Sequence, residues 1–198
     1  MFTRRQTAVL YGVAVLSILF AGFVIYLELK PHPPELQRYK ALPPFTLTNQ
    51  DGQRVSLDDL KGKVWLADFV YTTCPGPCPI ITAHMAHLQQ ALPAGTAVGL
   101  VSFSTDPQSD TPTVLKAYAK RFNASDRWTF LTGPKEQVYD LINHGFLMAI
   151  AAPPGAPIIH STRIVLVDRT GTIRGFYDGT TEAGDANIIA DMRKLLEE

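Results

Sequence analysis

The chain has 198 residues, 18 basic and 18 acidic side chains, and 46% apolar residues. That composition is too apolar for a disordered chain, and the zero net charge argues against a nucleic-acid binder, which usually carries a basic surplus. Two cysteines exclude a disulfide-dense miniprotein and a four-cysteine zinc site.

The first element in chain order is an apolar run. Ala8 to Leu27 carries no charge, and Ser17 is its one strongly polar residue. Twenty residues of helix span roughly 30 Å, one hydrocarbon thickness. The run is too long for a cleaved signal, so residues 1–30 are expected to form an N-terminal transmembrane helix. Arg4 and Arg5 precede the run, which places the N-terminus inside and the remainder outside. Residues 31–44 hold Pro31, Pro33, Pro34, Pro43 and Pro44, the composition of a semi-rigid linker. Residues 45–198 form one domain. From residue 31 onward 15 basic and 17 acidic side chains remain, once Arg4, Arg5, Lys30 and Glu28 are set aside. The outer part is thus slightly acidic.

Within the domain, Phe45–Thr48 and Arg54–Ser56 flank Asn49-Gln50-Asp51-Gly52 and predict a hairpin. Val64–Val70 and Thr96–Ser104 read as buried strands. Helices are expected over Ile80–Leu92, Thr111–Phe122 and Pro134–Asn143. Trp128–Leu131 is a short strand. Arg163–Asp168 and Thr172–Tyr177 form a second hairpin, and Glu182–Leu196 is a terminal helix. This alternation predicts an α/β fold with a central sheet flanked by helices.

The chemistry centres on Tyr71-Thr72-Thr73-Cys74-Pro75-Gly76-Pro77-Cys78-Pro79. Both cysteines lie at a strand-to-helix turn, where the helix dipole favours thiolate. The prolines stiffen the loop. Cysteines four apart can bind a soft metal together or close a disulfide. A disulfide across so short a loop removes little chain entropy, so a mere staple is the weaker reading. Two thiolates leave a copper site incomplete, and imidazole is the commonest added ligand. His32 sits in the linker. His84 and His87 share a helix that leads away from the cysteines, and a solvated face is expected for them. His144 lies at a helix end, where capping is the plainer role. His160 follows a Pro- and Gly-rich loop and immediately precedes a strand, so it can reach a neighbouring loop at the sheet edge. Asp110 precedes Thr111-Pro112 and is expected to cap the helix there; Asp106 or Asp110 could also orient His160. Tyr71 is read as a packed aromatic beside the site.

These residues resemble the SCO/SenC family of copper chaperones for cytochrome c oxidase. The resemblance rests on Cys74-Pro75-x-x-Cys78-Pro79, Ser104-Thr105-Asp106-Pro107-x-x-Asp110-Thr111-Pro112, Leu115-Lys116-Ala117-Tyr118-Ala119, Ile159-His160-Ser161-Thr162 and Leu166-Val167-Asp168. It covers about residues 45–195. Gly76-Pro77 stands where family members often carry Asp-Val or a similar pair, which removes a nearby carboxylate and adds stiffness. The resemblance implies a thioredoxin-like fold and one copper ion, Cu(I) or Cu(II), held by Cys74, Cys78 and His160. It implies delivery of copper to the binuclear copper centre of cytochrome c oxidase subunit II. The alternative is a thiol–disulfide oxidoreductase with Cys74 and Cys78 redox-active, which keeps that centre's cysteines reduced. A periplasmic copper donor or a thioredoxin-like reductase would then be a further partner. No Arg- and Ser-rich transit peptide is evident, which favours a bacterial inner membrane with the domain in the periplasm over a mitochondrial one.

Overall fold

The structure is a computed structural model and describes residues 15–25, 35–92, 95–153 and 156–198. It divides into two compact units, Met1–Glu35 and Leu36–Glu198. In the first, residues 15–25 are helical with exposed side chains. Among the described residues no helix is long and apolar enough to cross a membrane. The expected span over residues 8–27 lies partly outside the described residues.

The second unit is built on a seven-stranded sheet. Its strands are β1 (Thr46–Asn49), β2 (Arg54–Ser56), β3 (Val64–Val70), β4 (Val98–Ser104), β5 (Trp128–Thr132), β8 (Arg163–Val167) and β9 (Ile173–Asp178), in the order β2-β1-β5-β4-β3-β8-β9. A separate ribbon pairs β6 (Ile150–Ala151) with β7 (Ile159–His160). The helices are α1 (Leu57–Leu60), α2 (Cys78–Ala91), α3 (Pro112–Arg121), α4 (Lys135–Asp140) and α5 (Asp185–Glu197). β3, β4 and β5 run parallel, and β8 runs antiparallel to β3.

The apolar runs explain the centre of the sheet. All seven residues of β3 are buried, so both its faces are covered. One face packs Leu66 and Val70 against Met85 and Leu88 of α2, Leu115 of α3, and Ile188 and Leu195 of α5. The other carries Trp65, Phe69, Phe103 and Phe146. There Phe146 meets Phe69 and Phe103 edge-on at 5.1 and 5.0 Å between ring centres. Such pairs add about 0.5–1.5 kcal/mol beyond the area they bury. The β1–β2 hairpin turns as expected: Asn49 Oδ1 accepts from the Asp51 and Gln53 amides, and Gly52 takes φ +77°.

Several boundaries move. α2 begins at Cys78, not Ile80, because Pro79 fills an early helical position that needs no donor. The capping box of Ser56 and Asp59 starts the unexpected α1. Helix α4 stops at Asp140 and gives way to a wider turn, Leu141–Gly145. The terminal helix starts at Asp185 after a tight turn, Glu182–Gly184. The linker expected over 31–44 lies partly outside the described residues, and its later part is docked from Tyr39 onward. The Tyr39 amide donates to the Ile173 carbonyl, the Ile173 amide donates to Lys40, and Leu42 is buried. Backbone pairing along the edge of β9 thus fixes residues 39–42 beside the sheet.

Arg174 fastens this edge. Only 2% exposed, it donates to Asp168 Oδ2 at 3.1 Å, to both Glu198 oxygens at 2.7 and 2.8 Å, and to the Leu36 and Gln37 carbonyls. Arg174→Met leaves the buried Asp168 with only the longer Arg38 contact at 3.5 Å, and is expected to destabilise the chain by about 1–3 kcal/mol. Urea midpoints of the two proteins check this, and an unchanged midpoint would rule the clamp out.

Candidate metal centre

The topology brings three distant segments to one sheet edge. β3 ends at Val70 and feeds the cysteine loop directly. β8 lies antiparallel beside it, with Ala67 opposite Val165. The start of β8 therefore meets the end of β3, and His160, three residues before β8, arrives beside the cysteines. β4 ends at Ser104 next to Val70 and sends the Asp106–Asp110 loop to the same edge.

Cys78 Sγ lies 3.2 Å from His160 Nε2. The two sulfurs and one His160 ring nitrogen all fall within 4.8 Å of one another. Metal bonds of about 2.0–2.3 Å let one ion touch all three. Cys78 is fully buried, Cys74 and His160 partly so, and both cysteines are free thiols. His160 sits in the two-residue strand β7, not in an open loop. Its Nδ1 lies 2.9 Å from the Ser161 carbonyl, which can only accept, so Nδ1 carries the proton. That leaves the Nε2 lone pair facing Cys78. Burial pushes the His160 pKa down, against the opposing effect of the Ser161 carbonyl, and keeps the ring neutral for ligation. The orienting partner is thus a backbone carbonyl. The expectation that Asp106 or Asp110 orients His160 is not met.

The sulfurs are electrostatically unequal. Burial pushes Cys78 well above an ordinary thiol, and the neighbouring Cys74 sulfur adds to the rise. Burial acts the same way on Cys74. It is outweighed there by hydrogen bonds from the Cys78 thiol and amide, the Gly76 amide and the Tyr71 hydroxyl, so the Cys74 pKa is lowered. The Gly76 amide lies 3.4 Å from Cys74 Sγ. Tyr71, pushed up to about 12 first by burial, keeps its proton to donate. Its ring also meets the His160 ring edge-on at 5.7 Å, so the packed aromatic is part of the site wall. Iodoacetamide at neutral pH is therefore expected to modify Cys74 about tenfold or more faster than Cys78. Peptide mass mapping checks this; faster labelling of Cys78 would overturn the assignment.

Asp110 does not cap α3. Thr111 does, its hydroxyl accepting from the Val114 amide at 3.4 Å. Asp110 is buried and accepts from the Ser104 hydroxyl at 2.6 Å and from the Thr72 hydroxyl and amide at 2.6 and 3.2 Å. It ties the cysteine loop to the end of β4. The Asp106 carbonyl accepts from the Ser109 and Asp110 amides and shapes the same loop. His84 is also not solvated. It is 4% exposed and bonded to Asp185 and to the Gly179 carbonyl. His87 is half-exposed beside it. His144 pairs with Asp140 at 2.8 Å, away from the cysteines in sequence and in contact. His32 lies outside the described residues. Asp68, overlooked inside an apolar run, is fully buried in β3.

The SCO1/SenC family model matches residues 33–197. The SCO1 protein homolog of Bacillus subtilis is 40% identical over 154 residues, which are 76% of this chain and 80% of that protein. The solved structure of BsSco, a member of the Sco family of cytochrome c oxidase assembly proteins with a disulfide switch, is 38% identical. It matches with a TM-score of 0.75 over 83% of this chain and 98% of its own. ScoI of Bradyrhizobium japonicum, solved with copper bound, is 26% identical, with a TM-score of 0.68 over 79% and 99%. The α/β fold, a central sheet with flanking helices, matches the thioredoxin-like Sco structures. The chain belongs to the SCO1/SenC family.

Proposed function

We propose that this chain binds one copper ion through Cys74, Cys78 and His160 and hands it to the binuclear copper centre of cytochrome c oxidase subunit II. The observation that carries this is the 3.2 Å approach of Cys78 Sγ to His160 Nε2, with Cys74 Sγ in the same cluster. Two thiolates suit Cu(I), and the imidazole extends the set to Cu(II). Copper bound to ScoI of Bradyrhizobium japonicum supports the reading. Cys74 is the more exposed sulfur and the more readily ionised one. It is the ligand that an incoming partner thiolate replaces first. The apolar run at residues 8–27 supports an anchor in the bacterial inner membrane, with the domain in the periplasm. Copper titration of the reduced chain tests the reading: one ion per chain is expected, and Cys74→Ser and Cys78→Ser are expected to lose it. Full copper binding in both variants would sink it.

The unequal sulfurs favour a second reading, a thiol–disulfide reductase. The Cys74 thiolate attacks a partner disulfide; a mixed disulfide forms and one partner thiolate leaves. Cys78 then gives up its proton and attacks the Cys74 sulfur. The second partner thiolate leaves, and a Cys74–Cys78 disulfide remains. Two electrons have passed to the partner, and a thioredoxin-like reductase must restore the dithiol. The disulfide switch of BsSco supports it. Reduction of an oxidised subunit II peptide by metal-free protein, unaffected by His160→Ala, would place this role first.

A further inference from the structure

Helix α2 carries His84 and His87 three residues apart, and both meet one carboxylate from the start of α5. Asp185 Oδ1 bonds to His84 Nε2, and Asp185 Oδ2 lies 3.1 Å from His87 Nδ1. Glu182 Oε1 lies 3.7 Å from the same His87 nitrogen. His87 Nδ1 and one oxygen each from Glu182 and Asp185 all fall within 4.8 Å of one another. An ion with tetrahedral bonds of about 2.0–2.2 Å keeps its ligand atoms about 3.3–3.6 Å apart. The two separations measured from His87 bracket that edge. His84 Nδ1 lies 3.1 Å from the Gly179 carbonyl, so the buried ring is fixed at both ends. It holds the Asp185 carboxylate as an outer partner holds a metal ligand. A cavity of about 380 Å³, lined by Ile80, His84, Thr181 and Glu182 among others, opens beside the cluster.

The charge balance permits a cation. Asp185 stands at the positive end of α5, worth about half a charge. Two carboxylates outweigh it even with His84 donating from both ring nitrogens, to the Gly179 carbonyl and to Asp185. One imidazole and two carboxylates favour a borderline divalent ion over Cu(I), the opposite preference to the cysteine centre. We propose that His87, Glu182 and Asp185 form a second metal site, for a divalent transition ion such as Zn(II), with His84 positioning Asp185.

The test uses the full chain in detergent, carrying Cys74→Ser, Cys78→Ser and His160→Ala so that the first centre is silent. Equilibrium dialysis against Zn(II) is expected to give one ion per chain. Adding His87→Ala is expected to weaken binding by more than about tenfold. His87 is half-exposed, so that variant keeps its fold, and His32→Ala and His144→Ala leave binding unchanged. Cu(II) offered to the same protein is expected to show imidazole nitrogen coupling in its electron paramagnetic resonance spectrum, lost in His87→Ala. Absence of Zn(II) binding at micromolar concentration, or equal binding with and without His87, overturns the proposal and leaves an ion pair that joins α5 to α2.

Discussion

Cu(II) affinity is expected to fall more than about 100-fold in His160→Ala, while the same variant keeps Cu(I). The two oxidation states ask different things of the site. Cu(I) is soft and is satisfied by the two sulfurs, which sit on one stiff loop and stay paired without His160. Cu(II) needs the imidazole as well. The ring is already poised for it: neutral through burial, with Nδ1 committed to the Ser161 carbonyl and Nε2 turned toward Cys78. Losing a ligand outright should cost more than losing an outer partner, and outer partners alone are worth about 10–100-fold. Cys78→Ser, by contrast, is expected to lose both states, because it removes the sulfur common to each geometry. Competition titrations with a Cu(I) chelator and a Cu(II) chelator separate the two. Equal Cu(II) affinity in wild type and His160→Ala would show that the third ligand is not His160.

Much of this site was legible in the residues because its parts carry local signals. The cysteine spacing, the prolines and the flanking apolar strand fix a stiff turn at a helix start without reference to anything distant. His160 is different. It lies 82 residues from Cys78, and what brings it there is the antiparallel register of β8 on β3, which no local pattern encodes. The resemblance to known sequences supplied what periodicity could not. His84 was readable and was misread. Ile81, His84, Met85 and Leu88 fall at i, i+3, i+4 and i+7, one helical stripe, and all four are buried. A histidine on the core stripe must find partners, and Asp185 and Gly179 supply them. Asp110 was misread for another reason: two adjacent residues could cap α3, and Thr111 does so, which frees the carboxylate to serve Thr72 and Ser104. The two-residue strands β6 and β7 gave no signal, since a ribbon that short depends on tertiary neighbours.

Asp68→Asn is expected to remove a pH dependence of stability that the wild-type chain carries between about pH 4 and 7. Asp68 sits inside β3 with no exposed surface. One carboxyl oxygen accepts from the Ser102 hydroxyl, which itself accepts from Trp128 Nε1 at 2.9 Å. The other has no hydrogen-bond partner among the described residues. Burial pushes the carboxyl pKa from 3.8 up to about 7, and the Ser102 hydrogen bond offsets that only in part. The sign follows from the protons held in each state. Above pH 4 the unfolded chain has released this proton while the folded chain retains it. Raising the pH then favours unfolding until the folded carboxyl also ionises near pH 7. A shift of about three units corresponds to about 4 kcal/mol lost across that window. Asparagine keeps the oxygen that Ser102 needs and never ionises, so its slope from this position is zero. Urea unfolding of both proteins at pH 5, 6, 7 and 8 isolates the effect, because every other titrating group is shared. Wild type should lose stability relative to the variant as the pH rises, most steeply between pH 5 and 7. Parallel curves would mean that water or a partner reaches the orphan oxygen, and the buried-carboxyl account would fail.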